Sequence, residues 1–518
     1  MSVLAALTDY SVNDTEQFMS VKTEKLFPIQ SSAHRHTFRL EPSAGSFLDK
    51  NTLLMFKPVA ASQAASDAGL RLNCWSGALG CISRIQLNVG DNNIEDISGL
   101  PLWSAMNSLY NQSPDEQEKK FPHYIGNCLK YDYNAAAGGA ALGGDSSMTG
   151  QLIVDSAASG INYGNLTTGA GAAVLNNKIT NVAADCTRMA IPIGMILNSI
   201  KNDRLPLFLF QDYRINIVVD FETDASRYCN RMDKNDYASA TGSLAAEQAD
   251  IVFQEVEMLV DYLVYPSSVQ NSYEEAVRKE GGYNFEFVNV NHIEKSVGAA
   301  TANTTQIVEH RLNLQNAEMH YIQQFKSLPA VPYVAAAAGV NAVQGPFSDK
   351  VLLNQRSNSV SLQKVQFNVN GIDVFPAPQG NPLANYNQLA YVLGKDVQVP
   401  KPLYVNDSNA EYSMLTNSAS SIKGKYNVLA FDSRNGESSI RGGGTPVGNY
   451  PVICRYERRP HAAINKVDYI ASPGAGASDI ELGCDDRGIL DMDYFVGTTR
   501  LVNVRRLPSG GNSVVVLD

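Results

Sequence analysis

The chain has 518 residues with 41 basic and 52 acidic side chains, a formal net charge of −11, and such a field repels nucleic acid, which argues against direct, sequence-specific genome binding. Charged residues are only 18% of the total, below the roughly 25% of ordinary globular chains, so much of the surface is expected to be hidden against neighbours. Seven cysteines without any CxxC spacing point to reduced thiols in a cytosolic or nuclear compartment rather than to disulfides or a zinc site.

The N-terminus, MSVLAALTDY, lacks the basic n-region of a secretory signal, and residues 1–30 read as a polar, extended arm. No apolar run reaches the roughly 18 residues that a membrane span needs. The first strands expected are His36–Leu40 and Asn51–Val59. Next comes Ile85–Asn111, IQLNVGDNNIEDISGLPLWSAMNSLYN, whose first five residues alternate apolar and polar like a strand with one buried face.

Residues 134–174 are rich in Gly and Ala with few large apolar side chains, a composition that makes no core of its own, and are expected to be a long loop. Alternation returns in Met189–Glu222, where Ile215, Ile217, Val219 and Phe221 share a face, and again in Gln254–Tyr265. Pro266 then opens a linker, 266–282, with a helix over Asn271–Gly282. Ser272 and Glu275 have the spacing of a capping box, and Gly281 supplies the stop.

The second half opens on NFEFVNV (Asn284–Val290). Further loops are expected at 334–345 and 416–448, and the chain closes on Arg500–Leu507 and Ser513–Asp518. Within this half, VQFNVNGIDVFPAPQGNPLANYNQLAY, from Val365, repeats the stretch from Ile85 at an offset of 280 residues. Gln86 aligns with Gln366, Asn88 with Asn368, Val89 with Val369, Ile94 with Val374, Asn107 with Asn387 and Leu109 with Leu389. That period is too long for a solenoid, whose units run to about 20–50 residues. It implies two similar tandem domains, 31–265 and 283–518. Helical pattern is scarce, so the class is all-β, and each half has room for roughly eight strands packed as two sheets.

Enzyme signatures are missing. SIKGKY lacks the spacing of a phosphate-binding loop, and GAGAAV and GAGASD lack a third glycine. Neither a GxSxG elbow nor an HExxH helix occurs. His34 and His36 would share one strand face and could begin a metal site, but no third ligand accompanies them, and they read as polar surface histidines. Asp491 and Asp493 could also share a face; a solvated strand edge explains them. The basic run Arg455–His461 and the pair Arg505 and Arg506 read as surface or interface charges, and SIRGGG as a Gly-rich loop. No residue is assigned to catalysis, to a cofactor or to a metal.

GSFLDKNTLLMF (Gly45–Phe56), GCISRIQLNVGDNNIEDISG (Gly80–Gly99) and PIGMILNSIKNDRLPLFLFQDYRINIVVDF (Pro192–Phe221), taken in order, resemble the first half of a double jelly-roll major capsid protein of double-stranded DNA viruses. The lineage includes adenovirus-like, virophage and polinton-like capsids. The resemblance implies two tandem jelly rolls, a homotrimer with a nearly hexagonal footprint, trimer–trimer contacts in an icosahedral shell, and residence in the virion after assembly inside the host cell. It also implies a penton protein and minor or cement proteins as partners. A tandem β-sandwich that binds glycans or a receptor is the alternative. Its aromatic platforms would have to come from 24 tyrosines, since the only tryptophans are Trp75 and Trp103.

Overall fold

The computed structural model describes residues 20–103, 179–231 and 251–327 with short breaks, followed by 362–378, also with breaks, and by 428–432, 452–458, 490–506 and 512–517. The loops expected over 134–174 and 334–345 lie outside these residues, as do Asn107 and Asn387 of the repeat and the GAGAAV, GAGASD, SIKGKY and SIRGGG segments. The loop expected over 416–448 is interrupted at Val428–Asp432, which is a strand. Among the described residues no helix is long and apolar enough to cross a membrane.

The first half contributes β1 (Ser20–Leu26), β2 (Gln30–Ser31), β3 (Arg35–Leu40), β4 (Phe47–Leu48), β5 (Leu53–Ala60), β6 (Leu70–Leu72), β7 (Ile82–Val89), β8 (Asn92–Ser98), β9 (Met189–Pro192), β10 (Leu205–Pro206), β11 (Ile215–Phe221), β12 (Cys229–Arg231) and β13 (Ile251–Val264). One sheet has the order β10-β4-β13-β5-β9 with β1 on the other side of β13, and the facing sheet has the order β2-β3-β11-β7-β8. Of the arm expected over residues 1–30, Ser20–Leu26 belongs to the first of these sheets. Ser20 to Leu26 pair antiparallel with Val264 to Met258, Thr23 Oγ1 donates to Asp261 Oδ1 at 2.7 Å, and Lys25 pairs with the buried Glu257. The strand is mostly exposed, and its ladder, its ion pair and the packing of Leu26 against the core place it.

Two helices lie near the joint between the halves, the short α1 (Asn198–Lys201) and the linker helix α2 (Ser267–Lys279). The second starts four residues before the expected Asn271. Ser272 is interior and its hydroxyl donates back to the Ser268 carbonyl rather than capping. Tyr273 and Val277 join the first core. Gly281 and Gly282 follow at φ +78° and +137°, with the Gly282 N–H on the Val277 carbonyl at 2.9 Å, a left-handed stop that only glycine takes without strain.

The second half runs β14 (Tyr283–Val297), β15 (Gln306–Leu312), β16 (Met319–Ser327), β17 (Leu362–Val369), β18 (Ile372–Asp373), β19 (Val428–Asp432), β20 (Val452–Arg458), β21 (Leu490–Arg506) and β22 (Asn512–Leu517). Its sheets have the orders β14-β21-β16-β19, with β22 also on β21, and β15-β20-β17-β18. These are the orders of the first half: β1-β13-β5-β9 and β3-β11-β7-β8. Eight strands in two four-stranded sheets, connected in this sequence, are a jelly roll, and the chain builds it twice.

The match extends to register. Ile85, Leu87 and Val89 lie opposite Val219, Ile217 and Ile215, while Val365, Phe367 and Val369 lie opposite Tyr456, Cys454 and Val452. Ile85, Leu87, Val89, Ile215, Ile217, Val219, Val365, Phe367, Val452, Cys454 and Tyr456 are buried, as the apolar alternation requires. Asn93 Nδ2 donates to Asn88 Oδ1 at 3.0 Å, and Asn368 Nδ2 to Asp373 Oδ1 at 2.7 Å, so the repeated asparagine holds the same hairpin in both halves. Two-residue turns close these hairpins, with Gly90 at φ +61° and Gly371 at φ +79°.

The larger core fills the first jelly roll, where Phe221 stacks on Phe253 at 4.2 Å and meets Phe56 edge-on at 4.9 Å. It continues into Phe287, Val290, Phe495, Val502, Val504 and Val514 of the second half. A separate cluster, with Phe367, Cys454 and Tyr456, fills the second jelly roll.

Candidate functional site

Because the first core runs on into the second half, the most elaborated polar and apolar contacts among the described residues lie where β8 and α1 meet β14, β21 and β22. Glu95 of β8 is fully buried. Its two carboxylate oxygens accept the backbone N–H groups of Asn198 and Ser199 at 2.7 and 2.9 Å. Burial pushes its pKa up to about 7, against the opposing pull of those bonds and of the Arg500 charge. Asn198, so positioned, donates through Nδ2 to the Val288 carbonyl of β14 at 2.9 Å.

Three more bonds cross the seam. Arg500 of β21 donates to the Ile94 carbonyl at 2.9 Å, the Asp96 N–H donates to Asn289 Oδ1 at 3.3 Å, and Asn92 Nδ2 reaches the Val514 carbonyl at 3.4 Å. Asp96 is also clamped by Arg84 at 2.7 and 2.5 Å and by Gln86 at 3.0 Å. Burial would raise its pKa, but the bonds from Arg84 and Gln86 and the charges of Arg84 and Arg500 outweigh it and hold the carboxyl below its usual value.

At the next turn, the His292 ring stacks on Phe495 at 4.9 Å, and Trp103 packs on the same phenyl at 5.4 Å. His292 Nε2 and Asp493 Oδ1 are 2.7 Å apart, with Asp493 fully buried. The expectation that Asp493 lies on a solvated edge is corrected: β21 is a central strand between β14 and β16. Nothing in the sequence marks Glu95, His292 or Asn289 as seam residues, since each is a polar residue in a strand pattern.

His36 is likewise buried rather than on the surface. Its Nδ1 lies 3.1 Å from Ser31 Oγ and its ring meets Phe221 edge-on at 5.4 Å. Burial, and then the neighbouring His34, lower its pKa. Among the described residues no three His, Cys, Asp or Glu side chains form a metal-binding group. Arg455 pairs with Glu309 across the β15/β20 ladder, and Arg505 donates to Asn503 Oδ1 at 2.6 Å, so both serve strand surfaces. Among the described residues, these contacts attach one sandwich to the other.

No family model and no curated protein matches the sequence. In structure, the chain is similar to a chain of the PBCV-1 virus capsid, with a TM-score of 0.53 and 11% identity over 96% of this chain and 97% of that one. PBCV-1 VP54, fitted into a reconstruction of the virophage Sputnik, gives 0.52 and 10% over 96% and 97%. A chain of the Sputnik virophage gives 0.51 and 11% over 96% and 88%. These are double jelly-roll capsid proteins, and the fold of the present chain is a double jelly roll.

Proposed function

We propose that this chain is a virion major capsid protein of the double jelly-roll kind, a structural subunit and not an enzyme, three copies of which form a pseudo-hexagonal capsomer. The observation that carries the reading is the pair of jelly rolls with one strand order, held side by side by a buried seam. Two similar wedges per chain and three chains per ring supply six similar sides, which lets a threefold assembly pack on a hexagonal net. A closed icosahedral shell also needs fivefold vertices that such a unit does not fill, which calls for a separate penton protein. Minor or cement proteins would sit between capsomers. The low charge content and the net charge of −11 agree with protein–protein packing rather than genome binding.

Light scattering after size exclusion tests this directly. A mass near three times 56.2 kDa, with hexagonal outlines in negative stain, is expected. A chain that stays monomeric at high concentration would overturn it and move attention to a glycan- or receptor-binding module.

A further inference from the structure

The repeat gives the second jelly roll an internal standard. In the first half, Ile217 of β11 lies between Leu87 of β7 and Phe38 of β3. At the same place in the second half, Cys454 of β20 lies between Phe367 of β17 and His310 of β15. The cross-strand pair Phe38/Ile217 of one jelly roll is thus His310/Cys454 in the other. An apolar pair satisfies the fold at this position, so the fold itself does not call for an imidazole and a thiol.

The facing sheet adds two more groups to that pair. Met492 and Tyr494 are two apart on β21, so they share a face, and both belong to the core cluster that holds Cys454. Tyr494 Oη lies 2.7 Å from His310 Nδ1 and 3.9 Å from Met492 Sδ, and it hydrogen-bonds the Cys454 sulfur. One hydroxyl therefore marks a point that an imidazole nitrogen, a thiol and a thioether all reach. Cys454 and Met492 are fully buried, while His310 is half-buried and gives the side from which a small ion can enter. The His310 ring also hydrogen-bonds the Ser296 backbone, the kind of outer contact that orients a ligating imidazole.

The donor set and its surroundings select the ion. Thiolate and thioether sulfur favour soft ions such as Cu(I) over the hard cations that prefer oxygen. Burial pushes the Cys454 thiol up to about 12, because a bare thiolate is costly in an apolar core. A monovalent cation exchanged for the thiol proton leaves the site neutral. A divalent one would leave a net positive charge there, which the core does not solvate.

We propose that His310 Nδ1, Cys454 Sγ and Met492 Sδ form a site for a soft monovalent metal ion, Cu(I), which ties the two sheets of the second jelly roll together. On loading, the Cys454 S–H bond breaks, bonds from sulfur and nitrogen to copper form, and the proton leaves to solvent. The metal stays Cu(I), so no oxidant or reductant takes part. Tyr494 gives up its bond to His310 and keeps the one to the Cys454 sulfur. Anaerobic titration of the full chain with Cu(I), against bathocuproine disulfonate as competitor, tests the site. One tightly held Cu(I) per chain is expected, with sulfur and nitrogen neighbours in its X-ray absorption spectrum and a raised melting temperature. Met492→Leu keeps the core volume and is expected to weaken the binding roughly tenfold or more, as the loss of even outer-shell partners does. His310→Phe/Cys454→Ile, which restores the apolar pair of the first jelly roll, is expected to melt cooperatively and to lose that equivalent. Copper held equally by both variants would sit on the other six of the seven cysteines and overturn the assignment, as would a wild-type chain that yields all its copper to the competitor. Should the double variant not fold, Met492→Leu decides alone.

Discussion

Gly99 of the first jelly roll lies flat against the imidazole of His292 of the second. Its φ is +67°, and a Cβ built there would stand 2.7 Å from His292 Cγ and Nδ1. Gly99→Ala thus combines a left-handed backbone, roughly 1–2 kcal/mol for an L side chain, with overpacking of about 1–3 kcal/mol. Gly281 has a similar φ, +78°, but nothing within 4 Å of the added carbon. Gly281→Ala carries the backbone cost alone. Thermal melts of the two variants are expected to rank G99A well below G281A; equal losses would mean that the His292 contact carries no weight.

Glu95 links stability to pH at the seam. Its folded pKa of about 7 lies above the ordinary 4.5, so the native state holds a proton that the unfolded chain has lost. The stabilisation is complete below about pH 4.5 and is lost as pH rises through about 7, a span of roughly 3 kcal/mol. Glu95→Gln removes that slope. Its amide offers one acceptor oxygen where the carboxylate offers two, so one of the Asn198 and Ser199 N–H groups goes unmet, at about 1 kcal/mol or more. Urea denaturation from pH 5 to 8 is expected to show a flattened profile for E95Q, and an unchanged slope would place the titrating group elsewhere.

His36 works in the opposite sense. Its pKa is lowered by burial and by His34, so the native state resists protonation that the unfolded chain accepts near 6.5. Stability from this group is present above that value and falls as pH drops through it towards the lower folded pKa. His36→Phe, in a site already lined by Phe221, is expected to weaken the acid sensitivity of the first jelly roll. Melts at pH 5.5 and 7.5 check it, and a wild-type difference retained in full by the variant would count against His36.

The parts of this fold legible in the sequence are those in which one strand face is buried and the other is wet. Ile85, Leu87 and Val89 alternate with polar residues because β7 covers a core on one side, and Val365 and Phe367 repeat the pattern for the same reason. Strand β1 is not legible because it lies at an edge, where Lys22, Thr23, Glu24 and Lys25 break any apolar alternation and pairing to β13 fixes its place. Helix α2 is legible as a helix but its start is not, since Ser267 and Ser268 precede Ser272 and any of the three could cap. The seam is illegible for a different reason. Glu95 and Asp493 are carboxylates in alternating strands, where the pattern assigns them to solvent, but in the fold Glu95 is closed in against α1 and Asp493 sits beside His292 on the central strand β21.

Phe495 shows how far that burial couples the two halves. Its ring is 1% exposed and lies between His292 at 4.9 Å and Trp103 at 5.4 Å, so it belongs to β21 of the second jelly roll but to the core of the first. Phe495→Ala leaves a cavity between them, and buried Phe→Ala changes cost about 3–5 kcal/mol. Trp103 is one of only two tryptophans, so in a Trp75→Phe background its emission reports the seam alone. In the Phe495 variant this emission is expected to shift at lower denaturant than the loss of β-sheet circular dichroism, because the seam opens before either sandwich unfolds. Coincident transitions at an unchanged midpoint would mean that the two jelly rolls are held by the polar contacts of Glu95, Arg500 and Asn289 rather than by this ring.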